Sequence, residues 1–243
     1  MKNLKFFEPN DNTNGNDINT DQNDGNSNTG SDNATGTANG HGYVDLGLPS
    51  GLKWATCNVG ATKPEEHGNY YAWGETKTKT TYDLNTYKWA TATYDAEVDW
   101  WSLETLTKYN TDSDYGTVDN KTVLELADDA ARANWGGAWR MPTDAEWTEL
   151  RTNCTWTWTD DYNGTGVAGR IVTSNINGNS IFLPAAGYRG YDYLDDASND
   201  GYYWSSSLNT DDPYHAWDVN FVSVNVSRDY DGRYYGLSVR PVL

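Results

Sequence analysis

Catalysis and metal binding require His, Cys, Asp or Glu at spacings that let their side chains converge, and this chain offers few such sets. His41, His67 and His215 are scattered and show no metal-ligand spacing. His41 sits in a polar run and His67 in Glu65-Glu66-His67-Gly68, and both settings read as solvated. Cys57 and Cys154 are too few for a disulfide framework. Each suits the role of a small buried hydrophobe, and a pairing of the two is the alternative. Asp195-Asp196 and Asp211-Asp212 carry oxygen ligands of the kind calcium takes. They lack the Asp-x-Asp-x-Asp-Gly loop pattern, so they read as solvated acidic turns, and no metal or cofactor is expected.

The residues that do concentrate chemistry are those of non-covalent contact. Tyr188 to Leu243 holds nine Asp but no Glu, Lys, Gln or Met, and nine of the chain's 18 Tyr. A surface that needs only charge and solubility mixes Glu with Asp and adds Lys. A recognition surface favours Tyr, which gives a large stiff contact at low entropic cost, with small polar residues for adaptable hydrogen bonds. The segment therefore reads as a binding face. His215, inside it, reads as a contact residue rather than a base.

The totals narrow the partners. With 17 Lys and Arg against 35 Asp and Glu, the net charge is −18, which excludes the phosphate neutralisation that nucleic-acid binding requires. The same charge disfavours an anionic membrane surface, and no apolar run approaches the roughly 20 residues of a spanning helix. Met1-Lys-Asn-Leu-Lys-Phe-Phe-Glu-Pro lacks the apolar stretch of a secretory signal. The expectation is a chain that neither binds nucleic acid nor inserts in a membrane.

The chain divides into three segments. Residues 1–9 hold a short apolar plug of Leu4, Phe6 and Phe7, expected to anchor the protein to a larger assembly. Residues 10–42 are an Asn/Asp/Gly/Thr/Ser run that cannot bury enough area to order itself. As a flexible linker it would span on the order of 30 Å. Residues 43–243 are the expected folded domain. Tyr43-Val44-Asp45-Leu46 reads as its opening strand, with Leu237-Ser238-Val239-Arg240-Pro241-Val242 as a natural partner, and residues 60–120 as long packed loops.

A helix is expected over Val123–Ala133, stopped by Gly136-Gly137. Pro142-Thr143-Asp144-Ala145-Glu146-Trp147 carries a capping box, Thr143 with Glu146, and places Trp147 and Leu150 inward. Cys154, Trp156 and Trp158 alternate with Thr as a one-faced strand. Asn163-Gly164 and Asn177-Gly178 read as hairpin turns. Trp54, Trp139, Trp147, Trp156 and Trp158 fall beside apolar neighbours and read as core.

Five segments carry a resemblance. These are Val44-Asp-Leu-Gly-Leu-Pro-Ser-Gly-Leu-Lys-Trp-Ala-Thr-Cys-Asn-Val-Gly-Ala, Trp139-Arg-Met-Pro-Thr-Asp-Ala-Glu-Trp, Leu183-Pro-Ala-Ala-Gly-Tyr-Arg, Tyr203-Trp-Ser-Ser and Ser238-Val-Arg-Pro-Val. In that order they resemble a Bacteroidales family with a C-type-lectin fold of the formylglycine-generating-enzyme-like branch, which includes variable proteins of diversity-generating retroelements. The resemblance covers Tyr43 to Leu243. It implies an α+β, C-type-lectin-like fold of two helices, small antiparallel sheets and long packed loops, with the termini together and binding loops in the C-terminal half.

In retroelement systems, template adenines are randomised, typically in AAC codons, which yields Asn, Asp, Tyr, His, Ser, Gly, Thr, Ala, Val, Leu and similar residues but never Glu, Lys, Gln, Met or Trp. The resemblance thus marks as ligand-binding, variable positions Tyr191, Tyr193, Asp195, Asp196, Asp200, Asp212, Tyr214, His215, Asp218, Val222, Ser223, Asn225, Ser227, Asp229, Tyr230, Asp231, Tyr234 and Tyr235. Trp204 and Trp217 sit in scaffold-like strings.

The enzymatic branch of that family uses cysteine chemistry with copper in its C-terminal region, but here no Cys follows Cys154 and Cys57 lies in the opening motif. Calcium-dependent sugar binding would need Glu-Pro-Asn in a long loop, whereas Glu8-Pro9-Asn10 precedes the linker and Trp217-Asp218 is only a weak echo. The expected protein is a non-enzymatic binding module. It would be displayed on a phage virion as an appendage contacting a bacterial surface protein or glycan, with a homo-oligomer compatible with that display. The alternatives are a structural decoration or fibre-tip protein without receptor binding, and a bacterial cell-surface adhesin.

Overall fold

The computed structural model describes residues 34–97 and 100–243. The anchor residues Leu4, Phe6 and Phe7 and most of the expected linker lie outside the described residues. The described chain is α+β, with two helices and fifteen short strands in five sheets.

β1 (Gly36–Ala38) and β2 (His41–Asp45) form a hairpin, so the polar run read as linker through residue 42 ends inside the fold. Asn39 and Gly40 both take positive φ (47° and 82°), the geometry a two-residue hairpin turn needs. His41, expected in solvent, stacks on Trp135 with ring centroids 3.8 Å apart, and Trp139 Nε1 donates to the Ala38 carbonyl at 2.9 Å. These contacts come from distant residues, which composition does not register. His67 is also half-buried rather than solvated, and burial lowers its pKa as it does that of His41.

β3 (Lys53–Ala55) completes the first sheet and receives the end of the chain. Lys53 and Leu243 exchange backbone hydrogen bonds of 2.9 and 3.0 Å, and Ala55 N donates to the Pro241 carbonyl. The terminal segment therefore pairs with β3, one strand later than the opening strand at Tyr43. β4 (Tyr70–Tyr71) joins the main sheet, while β5 (Ala90–Asp95) and β6 (Trp100–Leu106) form an antiparallel hairpin, with a register shift at Thr91–Ala92, within the region expected to be loops.

The helix expected from Val123 begins later, as α1 (Ala130–Trp135). Val123 instead bridges to Ser207, Leu124 N donates to the Ser206 carbonyl, and Leu126–Asp128 is a 3-10 turn. Asp129 sets the start, accepting from Arg132 N at 2.9 Å and from Met141 N at 2.8 Å, and Gly136 at φ 66° sets the stop. α2 (Asp144–Asn153) carries the anticipated capping box. Glu146 N donates to Thr143 Oγ1 (3.3 Å) and Thr143 N donates to Glu146 Oε2 (2.7 Å), with Trp147 and Leu150 buried.

β7 (Cys154–Thr159), β8 (Gly169–Ser174) and β9 (Ser180–Pro184) form an antiparallel meander. Trp156 and Trp158 pack against Phe221. β10 (Tyr188–Gly190) and β11 (Tyr193–Asp195) form a small hairpin. β12 (Gly201–Leu208), β13 (His215–Phe221), β14 (Val226–Gly232) and β15 (Leu237–Ser238) build the main sheet with β4, in the order β14-β13-β12-β15-β4.

The core is aromatic, with Trp54, Trp73, Trp139, Trp147 and Trp204 fully buried. Two buried arginines tie loops to it through neutral acceptors. Arg240 donates to Asn58 Oδ1, Ala55 O and Phe182 O at 2.8–3.0 Å. Arg233 donates to Tyr87 Oη and to the carbonyls of Tyr109, Pro213 and Lys108. Cys57 and Cys154 are buried and unpaired, so neither is a cross-link.

Candidate binding face

Strand alternation sorts the C-terminal residues onto two faces of the main sheet. Cross-strand register places Tyr203, Val219 and Arg228 in one row and Trp217 opposite Tyr230, all on one face. It places Trp204, Asp218 and Asp229 in a second row, with Asp231, Tyr202 and Asn220 beside them, on the other face.

On the first face, Val219 and Phe221 belong to the core, but the half of β13 nearer His215 is open. Arg228 lies over the Trp217 ring, 3.2 Å from its centroid. Asp144, at the N-terminus of α2, accepts from Arg228 Nε (2.7 Å) and Nη2 (3.0 Å). Tyr230, 48% exposed, contacts Trp217 and His215 edge-on at 5.7 and 5.2 Å. His215 Nδ1 is 2.9 Å from Asp212 Oδ2, which fixes the imidazole.

Around the end of the sheet these rings continue without a break. His215 meets Tyr214 (4.9 Å), Tyr214 meets Tyr234 (5.8 Å), Tyr234 meets Tyr235 (4.5 Å), Tyr235 meets Tyr188 (5.5 Å), and Tyr188 meets Tyr202 (5.2 Å). Ring centroids in this range gain stabilisation beyond area burial, and coupled rings are stiff. The result is an aromatic belt from Trp217 to Tyr202 that crosses from one face to the other.

Carboxylates border the belt. Tyr188 Oη donates to Asp195 Oδ2 and Tyr202 Oη to Asp200 Oδ2, both at 3.3 Å. Burial and the nearby Asp195 carboxylate raise the Tyr188 phenol to about 12. Burial, then the Asp196 charge, raises Asp200. Asp231 is lifted to about 6 by burial and by Asp229. Beside the belt, Tyr191 and Tyr193 stack at 5.9 Å on the β10–β11 hairpin. Next to it, a groove of about 490 Å³ is lined by Tyr70, Lys79, Tyr82, Arg189 and Asp192, among others.

The expected contact residues thus divide. Tyr214, His215, Tyr230, Tyr234 and Tyr235 are belt members, and Tyr191, Tyr193, Asp195, Asp196, Asp200, Asp212, Asp229 and Asp231 lie along it or on the hairpin and turns beside it. Val222, Ser223, Asn225 and Ser227 occupy the β13–β14 turn and its start, where Val222 N donates to the Asn225 carbonyl. That turn is a strand length, about 20 Å, from His215.

Two of these positions are buried in the free chain. Asp218, expected as a contact, is 1% exposed, because it faces Trp204 and the belt side of the sheet. Tyr234 is 8% exposed, its ring sandwiched between Tyr214 and Tyr235.

Sequence reasoning missed Tyr188, Tyr202, Trp217 and Arg228 as members of this surface. Tyr188 and Trp217 sit in strings that read as scaffold, Tyr202 directly precedes another, and Arg228 lies outside the Tyr/Asp alphabet. The Trp217–Arg228 contact needs the β13–β14 register, which no local signal encodes. Among the described residues, no three of His, Cys, Asp and Glu converge as metal ligands. No helix there is long and apolar enough to cross a membrane. No protein-family model, curated protein or solved structure matches this chain.

Proposed function

We propose that this chain is a non-enzymatic recognition module with a C-type-lectin-like fold, whose tyrosine belt and bordering aspartates contact a ligand on a bacterial surface. The observation that carries the reading is the continuous run of ring contacts from Trp217 to Tyr202. Tyr and Trp concentrate binding energy where they are rigid and partly desolvated, and this belt holds them so before any ligand arrives. Preorganisation reduces the entropy lost on binding. The fold reading is supported by two helices, small antiparallel sheets and the junction of Lys53 with Leu243.

Display on a virion, with attachment through residues 1–9, is the setting proposed for this module, and a cell-surface adhesin is the alternative setting. A bound protein or glycan would lie across Tyr193 and Tyr230, the most exposed tyrosines of the segment.

The test uses the fluorescently labelled full chain and a panel of intact bacterial cells, comparing wild type with Tyr193→Ala/Tyr230→Ala. Saturable binding to at least one strain, lost at least tenfold in the double variant with an unchanged melting temperature, supports the reading. Equal binding by both proteins, or none across a broad panel, overturns it.

A further inference from the structure

On the belt side of the main sheet, Asp218 of β13 is directly opposite Asp229 of β14, and Asp231 is the next residue of β14 on that face. Like charges directly opposite on neighbouring strands destabilise a sheet. Asp218 is 1% exposed, yet neither carboxylate oxygen has a hydrogen-bond partner. A buried carboxylate without a partner is costly. Among the described residues no Lys, Arg or His pairs with any of the three. Arg228 is turned to the other face and held by Asp144, and His215 is engaged by Asp212. Asp229 accepts only from Asn220 Nδ2 (3.0 Å) and from Tyr230 N (2.9 Å). The cluster is therefore under-satisfied as a group, with its one fully buried member lacking any partner.

We propose that Asp218, Asp229 and Asp231, beside the Tyr202 and Tyr235 rings, form a subsite for an organic cation, an ammonium or guanidinium group of the ligand. Asp229 and Asp231 form its rim and Asp218 its floor. The site deepens the recognition reading and rests on it. Asp218 opposite Asp229, with Asp231 next on the same face of β14, offers several acceptors over which a broad organic cation can spread its donors. Aromatic rings next to carboxylates favour the same class of ligand, through attraction of the cation to the ring face.

In the free protein, burial favours the neutral, protonated form of the Asp218 carboxyl. Burial raises Asp218 well above the carboxylate range, reinforced by Asp231 and Asp229, with a smaller contribution from Asp144 of α2. A cation entering the site favours the charged form and displaces the proton. Binding then releases a proton to solvent, and affinity rises with pH.

The experiment titrates the full chain with N-acetyl-arginine amide, spermidine and N-acetyl-citrulline amide, read by NMR shifts and by calorimetry in buffers of different ionisation enthalpy. The expected result is millimolar binding of the cationic probes, shifts at Tyr202, Asp218, Asp229 and Asp231, proton release, and at least tenfold weaker binding of citrulline. Tighter arginine binding assigns the cation to a protein side chain, and tighter spermidine binding to a free polyamine.

Asp218→Asn should fold, lose at least tenfold in affinity for the arginine probe and reduce proton release; Asp229→Asn, at an exposed position, should lose severalfold. Unchanged affinity in both variants, or citrulline binding as tightly as arginine, overturns the subsite. If the subsite fails but Tyr193→Ala/Tyr230→Ala still abolishes cell binding, the recognition reading stands without it.

Discussion

Arg228 lies over Trp217, its guanidinium carbon 3.2 Å from the ring centroid, while Asp144 grips its Nε and Nη2. The contact joins the edge strand β14 to the start of α2 and holds the indole against which Tyr230 rests. Arg228→Lys keeps the charge but loses both the planar stacking and the two-pronged bond to Asp144. Because Arg228 is exposed, the substitution should cost no more than about 1 kcal/mol of stability. It should nevertheless increase the mobility of Tyr230, measured as a lower NMR order parameter. An unchanged order parameter would show that Trp217 needs no help from Arg228.

Asp218 and Asp231 predict an unusual dependence of stability on pH. Both carboxyls are raised in the folded state, Asp231 to about 6, against about 4 unfolded. The folded protein thus binds more protons over that interval. Their contribution is fully present below about pH 4 and is lost as pH rises through 6 and beyond. Asp218→Asn should remove much of this slope and raise stability at pH 7.5. Urea unfolding of both proteins at pH 5 and 7.5 measures it, and parallel losses in the two would refute it.

The capping box and the buried Arg240 test the scaffold at two scales. Thr143→Ala removes the acceptor for Glu146 N and should cost about 1 kcal/mol. Arg240→Ala leaves Asn58 Oδ1 and the carbonyls of Ala55 and Phe182 without their donor. With roughly 1–3 kcal/mol for each buried group left unsatisfied, that variant should unfold well below the wild type in a thermal melt. A drop of only a degree or two would mean that water replaces the guanidinium.

If the C-terminal segment is diversified, sequencing the 3′ end of the gene across a population should find substitutions clustered at belt and border positions such as Tyr193, Tyr214 and Tyr230. Trp204, Arg233 and Arg240, fully buried, should stay constant. An even, sparse spread would leave a fixed surface and remove the retroelement reading.

Local signals were legible where a few neighbouring residues decide the outcome. The Thr143–Glu146 capping box, the inward Trp147 and Leu150, and the Cys154-Trp156-Trp158 alternation all appear as read. The expected start of a helix at Val123 fails because the Asp129 cap and the bridge from Val123 to Ser207 outweigh helix propensity across Leu124–Asp128. The expected linker fails at its end because the Asn39-Gly40 turn and the Trp135 and Trp139 rings order residues that composition marks as unable to order themselves.

The sequence by itself determined an acidic chain and a closing segment, Tyr188 to Leu243, rich in Tyr and Asp, because alphabet and charge need no neighbours to be read. Tertiary structure alone decided which of those residues meet. It made a belt of rings from four separate segments, sank Asp218 beneath the surface opposite Asp229, and gave Trp217 its arginine. Each of these depends on cross-strand register, and a shift of one residue would exchange the two faces of β13 and disperse them all.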